Sequence, residues 1–78
     1  MRINEGPEYF RFSFEKSDFR RYGESNIRHV IDILKLKVPK RDRHYYPDQN
    51  EWQIKNEYLP LFNRLKLIYL ARNQFEIL

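Results

Sequence analysis

Two imidazole side chains, His29 and His44, are the first candidates for acid–base chemistry in this chain. They fall on different predicted elements, and neither has a nearby serine in a recognisable nucleophile context. His29 and Asp32 share one face of a predicted helix, but an exposed helix pair explains this spacing better than a metal site does. The chain has no cysteine and only two isolated glycines, which excludes a thiolate metal site and a phosphate-binding loop. We therefore expect no catalytic residue, no metal site and no cofactor.

Positive side chains in the middle of the chain suit contact with phosphate groups. Between Lys16 and His44 there are nine Lys or Arg residues against four Asp or Glu residues, and the formal net charge of the chain is +4. Binding of a polyanion would depend on salt, because each neutralised phosphate releases counterions. At a helix C-terminus the same cations would offset the helix dipole, so both interpretations stay open. The densest cluster comprises Lys35, Lys37, Lys40, Arg41 and Arg43.

Aromatic residues beside these cations could add stacking on bases. Tyr45 and Tyr46 are adjacent on a predicted strand and must point to opposite faces, so one belongs to the core and the other faces solvent or a partner. Trp52 is expected in the core, and Tyr22 offers a second stacking candidate in a loop with two arginines. The candidate nucleic-acid contacts are Arg20, Arg21, Tyr22, Lys35, Lys37, Lys40, Arg41, Arg43 and Tyr46.

The first elements that must position these residues are a strand and a helix. Alternation of Phe10, Phe12 and Phe14 with polar residues in "EYFRFSFE" predicts a half-buried strand, and "KSDFRRYGE" reads as a loop. A helix is predicted from an N-cap at Ser25 to the residue before Pro39, which ends it. Its apolar face comprises Ile27, Val30, Ile31, Leu34 and Val38.

A hairpin and a second helix complete the predicted fold. "RHYY" and "EWQI" flank the turn formers "PDQN", a pattern typical of a β-hairpin. Asn56 is a plausible cap for a final helix that ends near Asn73. The predicted class is therefore α+β, with the order β-α-β-β-α and two helices packed against a three-stranded, mainly antiparallel sheet.

The length of 78 residues predicts a single domain over 1–78. Residues 1–8 are expected to form an N-terminal tail, and residues 74–78 a tail or a short extra strand. No apolar run approaches the roughly 20 residues that a membrane span requires. We expect a cytoplasmic protein without a membrane partner.

At the hairpin, the segment "RHYYPDQNEWQI" is similar to the signature of HARP-type modules, the substrate-recognition domains of annealing helicases and related helicase-associated domains. That family has a Phe-rich strand, an amphipathic helix, and a basic-Tyr stretch separated by six residues from a Trp, as Tyr45 and Trp52 are separated here. "YFRFSF" and "NIRHVIDILKLKVP" stand where the opening strand and helix would be, and "YLPLFNRLK" where the second helix would be.

This resemblance covers roughly residues 9–70 and implies recognition of single-stranded or branched DNA through structure rather than sequence. It also implies that Tyr45 and Trp52 are mainly scaffold, while Lys40, Arg41 and Arg43 face the DNA. The leading hypothesis from the sequence is thus a non-enzymatic nucleic-acid-binding module for single-stranded or forked DNA. The alternative is a small protein-interaction or homodimeric module that associates through an edge strand or its final helix.

Overall fold

A four-stranded antiparallel sheet forms the centre of the fold. The structure is a computed structural model, and it describes residues 1–70. The spatial order of the strands is β1-β2-β4-β3, so that β1 and β3 lie at the edges. The strands are β1 (Arg2–Glu5), β2 (Tyr9–Ser13), β3 (Arg43–Tyr46) and β4 (Glu51–Lys55).

Three α-helices accompany the sheet, and short turns of other helical types extend two of them. A turn of 3-10 helix at Lys40–Asp42 connects α2 to β3, and another at Asn56–Tyr58 precedes α3. A π-helical turn at Lys66–Leu70 continues α3. The helices are α1 (Lys16–Tyr22), α2 (Glu24–Lys37) and α3 (Leu59–Leu65). None of the helices within residues 1–70 is long and apolar enough to cross a membrane.

The α+β class and the antiparallel hairpin of β3 and β4 are confirmed, but the predicted three-stranded sheet and two helices are wrong in number. The additional strand, β1, lies within residues 1–8, where a tail was expected. The additional helix, α1, replaces a predicted loop, and α2 begins at Glu24 rather than after an N-cap at Ser25. Asn56 opens a 3-10 turn, and α3 itself begins three residues later. The predicted end of the final helix near Asn73 and the predictions for residues 74–78 lie outside the described part of the chain.

The core lies between one face of the sheet and the helices. Phe10, Phe12 and Ile54 of the sheet are fully or almost fully buried, as the alternation in β2 predicted. The ring of Phe62 in α3 lies 4.5 Å from that of Phe12 and 5.2 Å from that of Phe10, centroid to centroid. The remaining buried apolar residues are Phe14, Ile27, Val30, Leu34, Val38, Leu65 and Leu70.

Because side chains alternate along a strand, burial of one face leaves the other face to a separate set of residues. The buried residues of α2 and α3 belong to the same cluster as Phe10 and Phe12, so these helices cover that face of the sheet. No helix within residues 1–70 covers the opposite face, and this face carries the candidate site.

Candidate nucleic-acid interface

The uncovered side of the sheet, which we call the open face, has three rows of side chains set by the strand register. In the middle row, Arg11 pairs with Gln53, which pairs in turn with His44. Tyr9 and Lys55 are paired in the row on one side of it. Most of these residues are exposed or half-buried. The open face comprises Arg2, Asn4, Tyr9, Arg11, Ser13, His44, Tyr46, Glu51, Gln53 and Lys55.

Arg11 connects the aromatic and polar residues of the open face. Its Nε–H donates to Oε1 of Gln53 at 3.1 Å, and its Nη1 lies 3.5 Å from Oε1 of Glu51. Its guanidinium carbon is 5.5 Å from the ring centroid of Tyr46, which also meets the His44 ring edge-on at 4.4 Å. These contacts are partly exposed, so each stabilises the fold by less than about 1 kcal/mol. Their main effect is to hold a cation and two rings together on one surface.

Two shallow hollows meet on the open face and share Tyr9 and Gln53. The first, of about 200 Å³, connects these residues to the basic turn that precedes β3. The second, of about 260 Å³, connects them to the turn between β1 and β2. The first hollow is lined by Tyr9, Lys40, Arg41, Asp42, Arg43, His44 and Gln53. The second hollow is lined by Gly6, Pro7, Glu8, Tyr9, Arg11 and Gln53.

The basic turn Lys40–Asp42 presents two exposed cations and one buried anion. Lys40 and Arg41 are exposed, whereas Asp42 is only 8% exposed. The Asp42 carboxylate accepts a hydrogen bond from the Tyr58 hydroxyl at 3.2 Å and lies 3.9 Å from Nζ of Lys55. Desolvation, followed by this hydrogen bond to Asp42, raises the pKa of Tyr58 above its ordinary value. The negative charge of Asp42 is therefore engaged inside the protein, and the surface of the turn is cationic.

Arg43 differs from its neighbours because its guanidinium is engaged by the end of α2. Its Nε–H donates to the carbonyl of Val38 at 3.0 Å, and its Nη2 lies 3.5 Å from the carbonyl of Lys35. The Lys35 carbonyl would ordinarily accept from the N–H four residues later, but that residue is Pro39, which has none. Arg43 thus lines the first hollow and also caps a helix.

The two adjacent tyrosines of β3 separate as expected, and Tyr46 lies on the open face. Tyr45 lies on the helix-covered side but remains 38% exposed, with its ring 4.8 Å from that of Trp52. Trp52 is partly buried against the rim of the core rather than enclosed by it. Nζ of Lys35 is 5.6 Å from the Trp52 ring centroid, and Lys37 is exposed at the end of the same helix. Both lysines therefore lie at the C-terminal end of α2, outside the open face.

The candidate contacts of α1 lie on an element that lines neither hollow of the open face. Arg20, Arg21 and Tyr22 precede the N-terminus of α2, whereas the basic turn follows its C-terminus. The Arg21 guanidinium packs over the Tyr22 ring at 5.3 Å. The structure thus brings Lys40, Arg41 and Arg43 together around the first hollow and connects Tyr46 to it through His44, whereas none of the three α1 residues lines either hollow.

Sequence reasoning missed the central residues of the open face, which are Tyr9, Arg11, His44 and Gln53. The signal that could have found them is the alternation that identified β2. If Phe10 and Phe12 face the core, then Tyr9 and Arg11 must face away from it.

Within residues 1–70, no group of three or more His, Asp or Glu side chains could hold a metal ion. Comparison of the chain with protein-family models, with curated proteins and with solved structures gave no match. Inference about function therefore depends on the geometry of this surface and on the sequence.

Proposed function

We propose that this protein is a non-enzymatic nucleic-acid-binding module that holds single-stranded or branched DNA on its open face. The observation that carries the proposal is the continuity of this surface. The first hollow joins Tyr9, His44 and Gln53 to the exposed cations Lys40 and Arg41. Phosphates would contact the basic turn, while unpaired bases would lie on the aromatic side chains.

The chemistry of the surface suits a single strand better than an intact duplex. Stacking of an unpaired base on an aromatic ring contributes about 1–3 kcal/mol and needs a base face that a duplex does not offer. Tyr9 is 37% exposed, and it lies beside both hollows. Arg11 supplies a further cation between the two tyrosines of this face. Recognition would rest on shape and charge, with phosphate contacts providing most of the affinity.

The similarity of the hairpin sequence to HARP-type modules points to the same ligand. It implies that Lys40 and Arg41 face DNA, and both are exposed beside the open face. It also implies a scaffold role for Tyr45 and Trp52, whose rings pack on each other on the helix-covered side. The charge of Arg43 would act at the edge of the same surface.

Fluorescence anisotropy of labelled single-stranded, duplex and forked DNA across a salt series tests the proposal. Three phosphate contacts, from Lys40, Arg41 and Arg11, correspond to a slope of about −2 in a plot of log affinity against log salt. Affinity for a single strand should then fall about twenty-fold between 50 and 200 mM salt. Absence of binding to all three DNAs at low salt would overturn the proposal, because even non-specific cationic contact is visible there.

A pair of double variants tests the location of the interface. Lys40→Ala with Arg41→Ala should reduce the slope to about −0.7, which corresponds to one remaining contact. Lys16→Ala with Arg64→Ala removes the same charge from exposed positions on α1 and α3 and serves as the matched control. Equal losses of affinity in the two double variants would show that net charge, and not this surface, binds the DNA. Arg20→Ala tests in the same assay whether α1 contributes.

A second candidate function, association of two copies through the last helix, is favoured by the exposed apolar residues of that helix. Leu67 is 69% exposed and Ile68 is 49% exposed. If this face forms a dimer, sedimentation velocity should give a dimer that Leu67→Lys converts to a monomer. A monomer at high micromolar concentration would exclude this second function.

A further inference from the structure

Gln53 has a position on the open face that its neighbours do not share. It occupies the centre of the middle row, between Arg11 and His44, and it lines both hollows together with Tyr9. Arginine can only donate, so the hydrogen bond from Nε–H of Arg11 to Gln53 fixes which end of the amide faces Arg11. This end is Oε1, and the Nε2 group of Gln53 is directed to the other side. Within residues 1–70, no hydrogen bond occupies this Nε2 group.

Building on the function proposed above, we propose that Tyr9 and Gln53 form a base-binding subsite that prefers thymine to adenine. The Tyr9 ring supplies the stacking surface, which accepts any base. The Nε2 group of Gln53 can donate hydrogen bonds but cannot accept one. It therefore selects a base by the acceptors on its edge.

The two bases differ in the groups that they present to such a donor. The pairing edge of thymine has two carbonyl oxygens on either side of one N–H donor, whereas that of adenine has one ring acceptor beside an amino group that is itself a donor. The remaining N–H groups of Arg11 and the Lys55 ammonium beside Tyr9 are also donors only. A base rich in acceptors thus matches this part of the open face, while the adenine amino group finds donors opposite it. One neutral hydrogen bond corresponds to a preference of about two- to tenfold.

The test is a comparison of oligo-dT and oligo-dA of equal length by anisotropy at low salt, with the wild-type chain and with Gln53→Glu. Adenine strands stack on themselves, which weakens their binding for reasons unrelated to Gln53. For each protein we therefore take the ratio of the dissociation constant for oligo-dA to that for oligo-dT. The ratio of the wild type is then divided by the ratio of the variant, so that the effect of adenine self-stacking cancels. Gln53→Glu can still accept from Arg11 but converts the free donor into an acceptor. We expect the divided ratio to lie between about two and ten.

Two further variants separate the subsite from the rest of the face. Asn4→Ala removes another amide from the open face, at a position that lines neither hollow, and should leave the ratio unchanged. Tyr9→Ala should weaken the binding of both oligonucleotides, because it removes the ring on which either base stacks. If Gln53→Glu does not fold, as judged by far-UV circular dichroism, Gln53→Met removes the donor without adding charge, and the divided ratio should again exceed one.

The outcomes distinguish this inference from the proposed function. A divided ratio of one, with both oligonucleotides bound, overturns the subsite and leaves the binding module standing. A ratio that Asn4→Ala changes as much as Gln53→Glu also overturns it, because the preference would then belong to the whole face. Absence of binding to either oligonucleotide overturns the proposed function, and the subsite falls with it.

Discussion

Replacement of Arg43 by alanine should destabilise the fold, whereas the same replacement at Arg41 should not. Both residues belong to the basic run, and each change removes one positive charge. Arg43 is half-buried and donates to the carbonyl of Val38, which follows the last turn of α2. Arg41 is exposed in the 3-10 turn, and the structure shows no hydrogen bond from its side chain within residues 1–70.

The expected cost follows from the contacts that alanine removes. The bond to Val38, at 3.0 Å, is well formed, and a hydrogen bond to a charged group contributes about 1.5–3 kcal/mol when it is protected from water. The contact with the Lys35 carbonyl, at 3.5 Å, is long and adds little. Partial exposure lowers the first value, while the charge near the helix C-terminus adds about 0.3–1 kcal/mol. The free energy of unfolding should fall by about 1–2 kcal/mol for Arg43→Ala and by less than about 0.5 kcal/mol for Arg41→Ala.

Urea denaturation followed by the fluorescence of Trp52, the one tryptophan of the chain, measures both changes. A loss of 1–2 kcal/mol lowers the melting temperature of a domain of this size by roughly 5–15 °C, so thermal denaturation gives a second measurement. Arg43→Lys keeps the charge but not the planar fork of donors and should recover only part of the loss. Equal urea midpoints for the alanine variants at 41 and 43 would refute the capping role.

Three further predictions concern the fold that presents the open face. Phe62→Ala removes a fully buried ring that stacks on Phe12 and should cost about 3–5 kcal/mol, enough to lose most of the native far-UV circular dichroism signal in a domain this small. Burial alone would raise the pKa of Asp18, but hydrogen bonds from the Met1 ammonium and from the backbone N–H of Glu15 outweigh it and hold the pKa below its ordinary value of 3.8. Since the pKa of Asp18 is lower in the folded state than in the unfolded state, the stability that it contributes is present at neutral pH and is lost as the pH falls below about 5. In Asp18→Asn, the urea midpoint should therefore decrease less between neutral and acid pH than it does in the wild type. Asn50 has a φ of 50° in the hairpin turn, and its Oδ1 accepts from the Tyr45 hydroxyl at 2.7 Å. Asn50→Gly should therefore lose only this exposed hydrogen bond, at most about 1 kcal/mol, while Asn50→Val should lose roughly a further 1–2 kcal/mol by thermal denaturation.

The elements that could be predicted from the sequence are those with one buried and one exposed face. Strand β2 alternates Phe10 and Phe12 with polar residues, and both phenylalanines are buried. Helix α2 buries Ile27, Val30 and Leu34 at helical spacing. In such elements the hydrophobic period reports directly which side faces the core.

The missed elements have no such period, for physical reasons. Strand β1 lies at the sheet edge, and all four of its residues are exposed. Its sequence therefore shows no alternation of apolar and polar residues that would indicate a strand. In helix α1 the buried residue is Asp18, whose carboxylate accepts from the backbone N–H of Glu15. A helix held by a polar contact at its first turn resembles a loop when hydrophobicity is the only guide.

The candidate site was predictable only in part, because a cluster of charges in sequence is not a cluster in space. Alternation along β3 brings Tyr46 to the open face, whereas Arg20 lies on α1, which lines neither hollow. Gln53 gave no signal of its own, since its place at the centre of the face depends on the pairing of β4 with two neighbouring strands.

The sequence left two interpretations of the basic run open, compensation of a helix dipole and contact with phosphate. The structure supports the first role for one residue of the run. Arg43 reaches back to the end of α2, where its Nε–H donates to the carbonyl of Val38 at 3.0 Å, so its charge serves the helix. Lys40 and Arg41 lie on the turn between that helix and the open face. The carboxylate of the buried Asp42 accepts a hydrogen bond from Tyr58 and does not pair with either of them. Neither the lysine nor the arginine of this pair makes a hydrogen bond or ion pair with its side chain within residues 1–70, so both charges are available for the phosphate contacts that we propose.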